Sequence, residues 1–109
     1  MSADPVILVA TVTPLPEHRE EVRAAATAAV PAAHAEDGCV LFALHETDDA
    51  FVIVEIWRDE EALTAHSVGP QLTEFRAAVR GKLTGRIAVQ RLSAMPLGEA
   101  DKGVLRPVG

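Results

Sequence analysis

The fold is decided by the stretch Phe51-Val52-Ile53-Val54-Glu55-Ile56-Trp57, which runs directly into Arg58-Asp59-Glu60-Glu61-Ala62-Leu63-Thr64-Ala65-His66. Its first seven positions are β-branched, aromatic or otherwise apolar apart from Glu55, which predicts a strand over residues 50–57. Both faces of this strand are apolar, whereas a strand with one solvated face alternates apolar and polar residues. Asp59 is a typical helix N-cap, so a short helix is predicted to follow and to end near His66.

Two neighbouring runs also have strand character. Residues 6–13 and 39–47 are rich in β-branched and other apolar side chains. A tight turn at Asp48-Asp49 would join the second run to the strand at 50–57, and it places Phe42 opposite Glu55. Gly85 precedes a last strand, which is predicted over residues 86–92.

Two longer helices complete the pattern. The first begins near Glu17, is interrupted by a kink or a new turn at Pro31, and ends before Gly38. Its narrow apolar stripe consists of Val22, Ala26, Ala29 and Ala33. The second begins at Gly69-Pro70, because proline suits the first helical position. Its apolar stripe has helical spacing and consists of Leu72, Phe75, Val79 and Leu83.

The order β-α-β-β-α-β predicts an α+β, ferredoxin-like fold with a four-stranded antiparallel sheet and the helices on one face. The open face would then be apolar, and a monomer rarely exposes a patch of more than a few hundred Å². We therefore expect a homodimer with two sheets packed face to face, as in a dimeric α+β barrel. The alternative is a monomer whose tail covers the sheet. Residues 1–92 are expected to form one domain, and residues 93–109 a tail packed on its own or the partner chain.

Composition narrows the function. The chain has 109 residues and a net charge of −6, which argues against nucleic acid as the main partner. Cys39 is the single cysteine, so an intrachain disulfide is excluded, and the four histidines lie on separate elements without metal-site spacing. The N-terminal residues lack the positive start of a signal peptide, and no apolar run is long enough to span a bilayer, so a cytoplasmic location is expected.

Five segments, in this order and spacing, resemble the antibiotic biosynthesis monooxygenase superfamily of dimeric α+β barrels over residues 6–92. They are Glu36-Asp37-Gly38-Cys39, Phe42 with His45, Phe51 with Glu55-x-Trp57, Glu61-Ala62-Leu63-x-Ala65-His66, and Gly69-Pro70. The set looks most like the small quinol-monooxygenase-type members. Gln71 is a departure, because quinol-oxidising relatives often carry a histidine after Gly-Pro. The resemblance implies the fold more strongly than the reaction, since relatives also include heme-degrading and isomerase-like proteins.

Cofactor-independent oxygenation needs a base, a donor for the developing oxyanion and a dry cavity. His66 is the best candidate for the base, because a neutral imidazole titrates near neutral pH. The alternative for His66 is an exposed or structurally satisfied histidine. Glu55 could instead be a structural carboxylate bonded to backbone or to an arginine such as Arg91. Trp57 could be a core residue, and Arg76 a solvated charge or a partner for an anionic substrate.

The candidate substrate-binding residues are Phe42, Phe51, Glu55, Trp57, Gln71, Phe75 and Arg76. The pattern of the strands does not decide whether the face bearing Phe42 and Glu55 lines a cavity or meets the partner chain. No glycine set fits a dinucleotide fingerprint, so flavin and nicotinamide are not expected to bind through a Rossmann motif. We expect neither a cofactor nor a metal.

The sequence therefore favours a monooxygenase that acts on a polycyclic aromatic or quinol-type molecule with O₂. The alternatives are a non-catalytic dimer that binds a small molecule in a metabolic pathway, and a non-oxidative isomerase or cyclase on the same fold.

Overall fold

The protein, described by a computed structural model for residues 4–105, is a four-stranded antiparallel sheet with its helices packed on one face. The strands are β1 (Val6–Val12), β2 (Cys39–Glu46), β3 (Phe51–Trp57) and β4 (Ala88–Leu92). The helices are α1 (Arg19–His34), α2 (Glu60–Ser67) and α3 (Pro70–Ala78), and a single 3₁₀ turn at Pro16–His18 leads into α1. The predicted α+β, ferredoxin-like class is confirmed.

The strand order in the sheet is β2-β3-β1-β4, so the strand that decided the fold lies in its interior. Glu55 pairs with Phe42 on one side and with Leu8 on the other, and the predicted pairing of Phe42 with Glu55 is confirmed. The Asp48-Asp49 turn closes with a 2.8 Å bond from the Thr47 amide to the Ala50 carbonyl. A bulge at Val40, between Cys39 and Leu41, shifts the register near the start of β2.

The helix-facing side of the sheet forms the core. It buries Val6, Leu8, Ala10, Val12, Phe42, Phe51, Ile53 and Trp57. The predicted stripe of α1 packs against them, and its three alanines let the helix backbone approach the sheet closely. The face that carries Phe42 and Glu55 therefore faces the helices.

The other side of the sheet is the open face, which carries the remaining side chains of the inner strands. Ile7, Val9 and Val54 are half-buried there, next to Leu41 and Ala43 of β2. No described helix covers this face. Tail residues Ala94, Val104 and Leu105 line a hollow at one end of it, together with Ile7 and Ile56.

The structure corrects two expectations about the helix ends. Helix α1 continues through Pro31 to His34, so of the two alternatives at the proline a separate final turn is excluded. Helix α3 ends at Ala78, so Leu83 does not lie on the helix; it bridges to Pro14 after the chain has turned at Gly81, whose φ is 75°.

Residues 1–3 and 106–109, which include the end of the predicted tail, lie outside the described part. Within residues 4–105, no helix has the length and apolar character needed to cross a bilayer. The same residues contain no group of three or more side chains suited to hold a metal ion.

Candidate functional site

A cavity of about 550 Å³ lies between α3 and the helix-facing side of the sheet. This volume is within the range of small-molecule sites. Six of the residues selected from the sequence line it, and they come from β2, β3, α2 and α3. They are Phe42, Glu55, His66, Gln71, Phe75 and Arg76. Phe51 and Trp57, the other two candidates, do not line this cavity.

Phe51 lies at the opposite end of β3 from Glu55 and Trp57, and it is fully buried. The guanidinium groups of Arg19 and Arg23 lie 4.9 and 5.3 Å from its ring centroid. Both arginines also pair with Glu46, so they cover the ring as part of an ion-pair cluster. In this position Phe51 contributes to the packing between α1 and the sheet.

Trp57 contacts two of the cavity-lining residues, His66 and Glu55, although it does not line the cavity itself. It is completely buried, and its indole stacks on the imidazole of His66 with ring centroids 4.3 Å apart and planes at 26°. Its Nε1–H donates a 2.9 Å hydrogen bond to Glu55 Oε1. Trp57 thus fixes the positions of two cavity residues without facing the cavity.

His66 lies in the last turn of α2 and is only 5% exposed. Glu36, in the turn after α1, bonds to its Nδ1 through both carboxylate oxygens, at 2.9 and 3.2 Å. A carboxylate accepts hydrogen bonds, so we assign the proton of the neutral imidazole to Nδ1. Nε2 then carries the free lone pair, and it lies 3.8 Å from Glu55 Oε1, too far for a hydrogen bond.

Glu55 is a buried carboxyl, 6% exposed, in a mostly apolar wall. Burial raises the pKa of Glu55 above its ordinary value, and the nearby Glu36 carboxylate acts in the same direction. The hydrogen bond from Trp57 and the proximity of His66 partly oppose this rise in pKa. Arg91, one of the structural partners considered for Glu55, pairs with Glu60 instead.

Gln71 lines the cavity one position after the Pro70 that begins α3, and it is 8% exposed. Its Oε1 is buried without a hydrogen-bond partner among the described residues. Such an orphaned acceptor costs about 1–3 kcal/mol. A donor supplied by a bound molecule would recover this free energy.

Glu36 was missed as a site residue by the reasoning from sequence. It lies thirty positions before His66, and nothing in its local pattern separates it from the neighbouring acidic residue Asp37. Gly69 gives it room: a Cβ at that position would lie 3.3 Å from Glu36 Oε1 and 3.0 Å from the Ala65 carbonyl. A side chain at position 69 would therefore require the Ala65 carbonyl or the Glu36 carboxylate to shift by a few tenths of an ångström.

The arrangement combines a positioned imidazole with an apolar cavity. Glu36 can stabilise the imidazolium that forms when Nε2 accepts a proton. Phe42 meets the His66 ring edge-on, with centroids 6.3 Å apart, and Phe75 is buried on the α3 side of the cavity. These groups are suited to proton abstraction from an apolar, aromatic molecule.

Comparison with known proteins identifies the family and the fold. The model of the antibiotic biosynthesis monooxygenase family matches residues 5–79. Rv0793 of Mycobacterium tuberculosis, a proposed monooxygenase, is 37% identical over 99 residues, which are 89% of this chain and 96% of that protein.

Solved structures extend the similarity to three dimensions. The structure of Rv0793 superposes with a TM-score of 0.79 and 35% identity, and covers 89% of this chain and 99% of its own. PA3566 of Pseudomonas aeruginosa also superposes with a TM-score of 0.79, at 28% identity over 87% of this chain and 98% of that one. A protein of Caulobacter crescentus with 18% identity and a TM-score of 0.78 shows the same fold, covering 85% of this chain and 92% of its own.

Proposed function

The chain belongs to the antibiotic biosynthesis monooxygenase family, and we propose that it oxidises a quinol-type or polycyclic phenol with O₂, using neither metal nor flavin. One observation carries the proposal. The imidazole of His66 is buried at the wall of a cavity of about 550 Å³, with Nδ1 bonded to Glu36 at 2.9 Å. A buried base of fixed orientation beside an apolar cavity is what removal of a phenolic proton requires.

In the proposed reaction, His66 Nε2 takes the proton of a ring hydroxyl, and Glu36 stabilises the imidazolium. The phenolate donates electrons to O₂, and a C–O bond forms at a ring carbon. Return of the proton from His66 gives a hydroperoxide. The O–O bond then breaks as hydroxide leaves, and the hydrogen on the same carbon leaves as a proton, which completes one water.

The electrons balance within the substrate. A quinol and O₂ give a hydroxyquinone and water: the quinol loses four electrons, and the two oxygen atoms together gain four. One oxygen atom stays on the ring and the other leaves in water. The substrate therefore supplies every electron that the reaction needs, and no further reductant enters the balance.

Oxygen uptake tests this proposal. Purified protein is mixed with a panel of hydroquinones and anthrones prepared without oxygen, and oxygen consumption and quinone absorbance are recorded. Replacing His66→Ala should lower the rate at least about tenfold, the low side of what one general base contributes. The matched control is His45→Ala, since His45 is exposed on β2 and does not line the cavity. No enzyme-dependent uptake on any substrate would refute the oxidation and leave a binding role for the cavity.

The proposal includes a homodimer in the cytoplasm. Support comes from the open face, where half-buried Val9, Val54 and Ala43 lie side by side across three strands. A second sheet packed on this face would remove that apolar surface from water. The residues that follow β4 lie at one end of the same face and would then contact the dimer edge.

A further inference from the structure

The cavity has a charged mouth that its proposed chemistry does not use. Arg76 lies in the last turn of α3, Arg80 lies two residues beyond the end of that helix, and Arg86 lies on the loop before β4. All three line the cavity and are exposed. They form an exposed, positively charged part of the cavity lining, which we call the mouth, in a protein whose net charge is −6.

Within residues 4–105, these three arginines and Lys102, which does not line the cavity, are the cations without a carboxylate partner. The following five cations each pair with a carboxylate: Arg19, Arg23, Arg58, Lys82 and Arg91. No carboxylate in the described range pairs with Arg76, Arg80 or Arg86. Glu55 is the single carboxylate among the cavity-lining residues, and it lies in the buried wall. The mouth therefore carries uncompensated positive charge that would attract an anion.

A second, independent feature lies deeper in the cavity. Gln71 is more than nine-tenths buried, and its Oε1 has no hydrogen-bond partner in the described part of the chain. The terminal amide torsion of glutamine is broad, so this acceptor can turn toward a donor in the cavity. Gln71 and Arg76 are five positions apart on α3, or about 7.5 Å along the helix axis. A ligand that satisfies both has a hydroxyl at its buried end and an anion at its exposed end.

We propose that the substrate is an aromatic acid: a planar ring system that carries a phenolic hydroxyl at one end and a carboxylate at the other. The hydroxyl lies where its single proton can be donated either to Gln71 Oε1 or to His66 Nε2. The rings lie between Phe42 and Phe75, and the carboxylate meets Arg76, Arg80 and Arg86. This inference rests on the proposed function only in taking the cavity as the substrate site. It names the charge and polarity of the molecule that the site selects.

Binding of three related probes tests the inference without any oxidation. They are 6-hydroxy-2-naphthoate, which has both groups, 2-naphthol, which has the hydroxyl alone, and 2-naphthoate, which has the carboxylate alone. Titration calorimetry at low salt gives the three dissociation constants. One exposed charge pair contributes at most about fivefold in affinity. The carboxylate is proposed to meet more than one arginine, so the hydroxy acid should bind about tenfold more tightly than 2-naphthol. This ratio should shrink as salt is added.

Variants assign the effect to residues. The double variant Arg76→Gln with Arg80→Gln should reduce the ratio between the hydroxy acid and 2-naphthol to about twofold or less. Lys102→Gln is the matched control, because it removes an exposed cation that does not line the cavity. Gln71→Met should weaken the hydroxy acid more than 2-naphthoate, by about threefold to tenfold.

Equal affinities for the hydroxy acid and 2-naphthol would overturn the inference. So would a ratio that survives in the double arginine variant, or a failure of all three probes to saturate at millimolar concentration. These outcomes are separate from oxygen uptake. A protein with the predicted binding pattern but no oxidase activity would refute the reaction and keep the substrate class. Oxidase activity without the predicted binding pattern would keep the reaction and refute the substrate class.

Discussion

Replacement of Glu36 tests how the structure prepares His66 for proton transfer. Both oxygens of this carboxylate bond to Nδ1, at 2.9 and 3.2 Å, and the imidazole is buried. Hydrogen bonds to charged groups contribute about 1.5–3 kcal/mol. If the whole contribution is realised when the imidazolium forms, its loss slows the reaction by about 10-fold to 150-fold.

Two substitutions separate charge from orientation. In Glu36→Gln an acceptor for the Nδ1 proton remains but the charge is lost, so kcat/KM should fall about tenfold, the lower end of that range. In Glu36→Ala both are lost, and the decrease should approach about 100-fold. Asp37→Asn is the matched control, because Asp37 is the adjacent, exposed carboxylate and pairs with Arg58 rather than with His66.

The assay is oxygen uptake over a range of substrate concentrations, combined with ¹⁵N NMR of the His66 ring. In the wild type the neutral ring should show its proton on Nδ1, and Glu36→Ala should mix the two tautomers. A structural role alone would lower the thermal midpoint and leave kcat/KM of the folded variant as it is. Wild-type kcat/KM in a folded Glu36→Ala protein would refute the reasoning.

Three further predictions concern stability and assembly. Gly38→Ala should destabilise the fold by about 2–5 kcal/mol in denaturant unfolding, because a Cβ at φ 87° would meet Ala62 Cβ at 2.5 Å. Gly81→Ala, which has a similar φ but open space around the Cβ, should cost only about 1–2 kcal/mol. Equal decreases in the free energy of unfolding for the two variants would contradict the close contact at Gly38. Burial raises the pKa of Glu55 in the folded state above its ordinary value of 4.5, so the folded protein keeps the carboxyl proton to higher pH than the unfolded chain does. This carboxyl therefore lowers the free energy of unfolding as pH rises from 4.5 through the raised pKa. Glu55→Gln should remove that decrease in unfolding titrations from pH 4 to 8, and an unchanged pH profile would refute it. Val54→Glu on the open face should convert a dimer to a monomer in sedimentation velocity, whereas a wild type that is already monomeric at micromolar concentration would defeat the proposed assembly.

The sequence predicted the sheet well, because strand alternation and the turn at Asp48-Asp49 are both set by residues that are neighbours in the chain. The two-residue loop at Asp48-Asp49 was enough to place Phe42 opposite Glu55, as the sheet has it. The apolar periodicity of α3 predicted its buried side but not its end. Leu83 continues the spacing, yet the chain leaves the helix after Ala78, because periodicity does not record where the backbone turns.

The sequence did not separate the residues that line the cavity from those packed behind it, because strand alternation gives a face but not a position under the helices. Glu55 and Trp57 share a face of β3, yet only Glu55 reaches the cavity, while Trp57 stacks behind His66. Phe51 lies on that face too, at the end covered by α1 and its arginines. Glu36 meets His66 only through the packing of the turn after α1 against α2, and a contact between residues thirty positions apart leaves no local signal.

A crystal structure with bound 6-hydroxy-2-naphthoate tests the central claim most directly, since it locates the substrate site and the base together. The predicted complex has the rings between Phe42 and Phe75, the hydroxyl within hydrogen-bond distance of His66 Nε2 or Gln71 Oε1, and the carboxylate beside Arg76. A ligand bound instead on the open face of the sheet, or in the hollow beside Ile7, would contradict the assignment of the cavity as the active site.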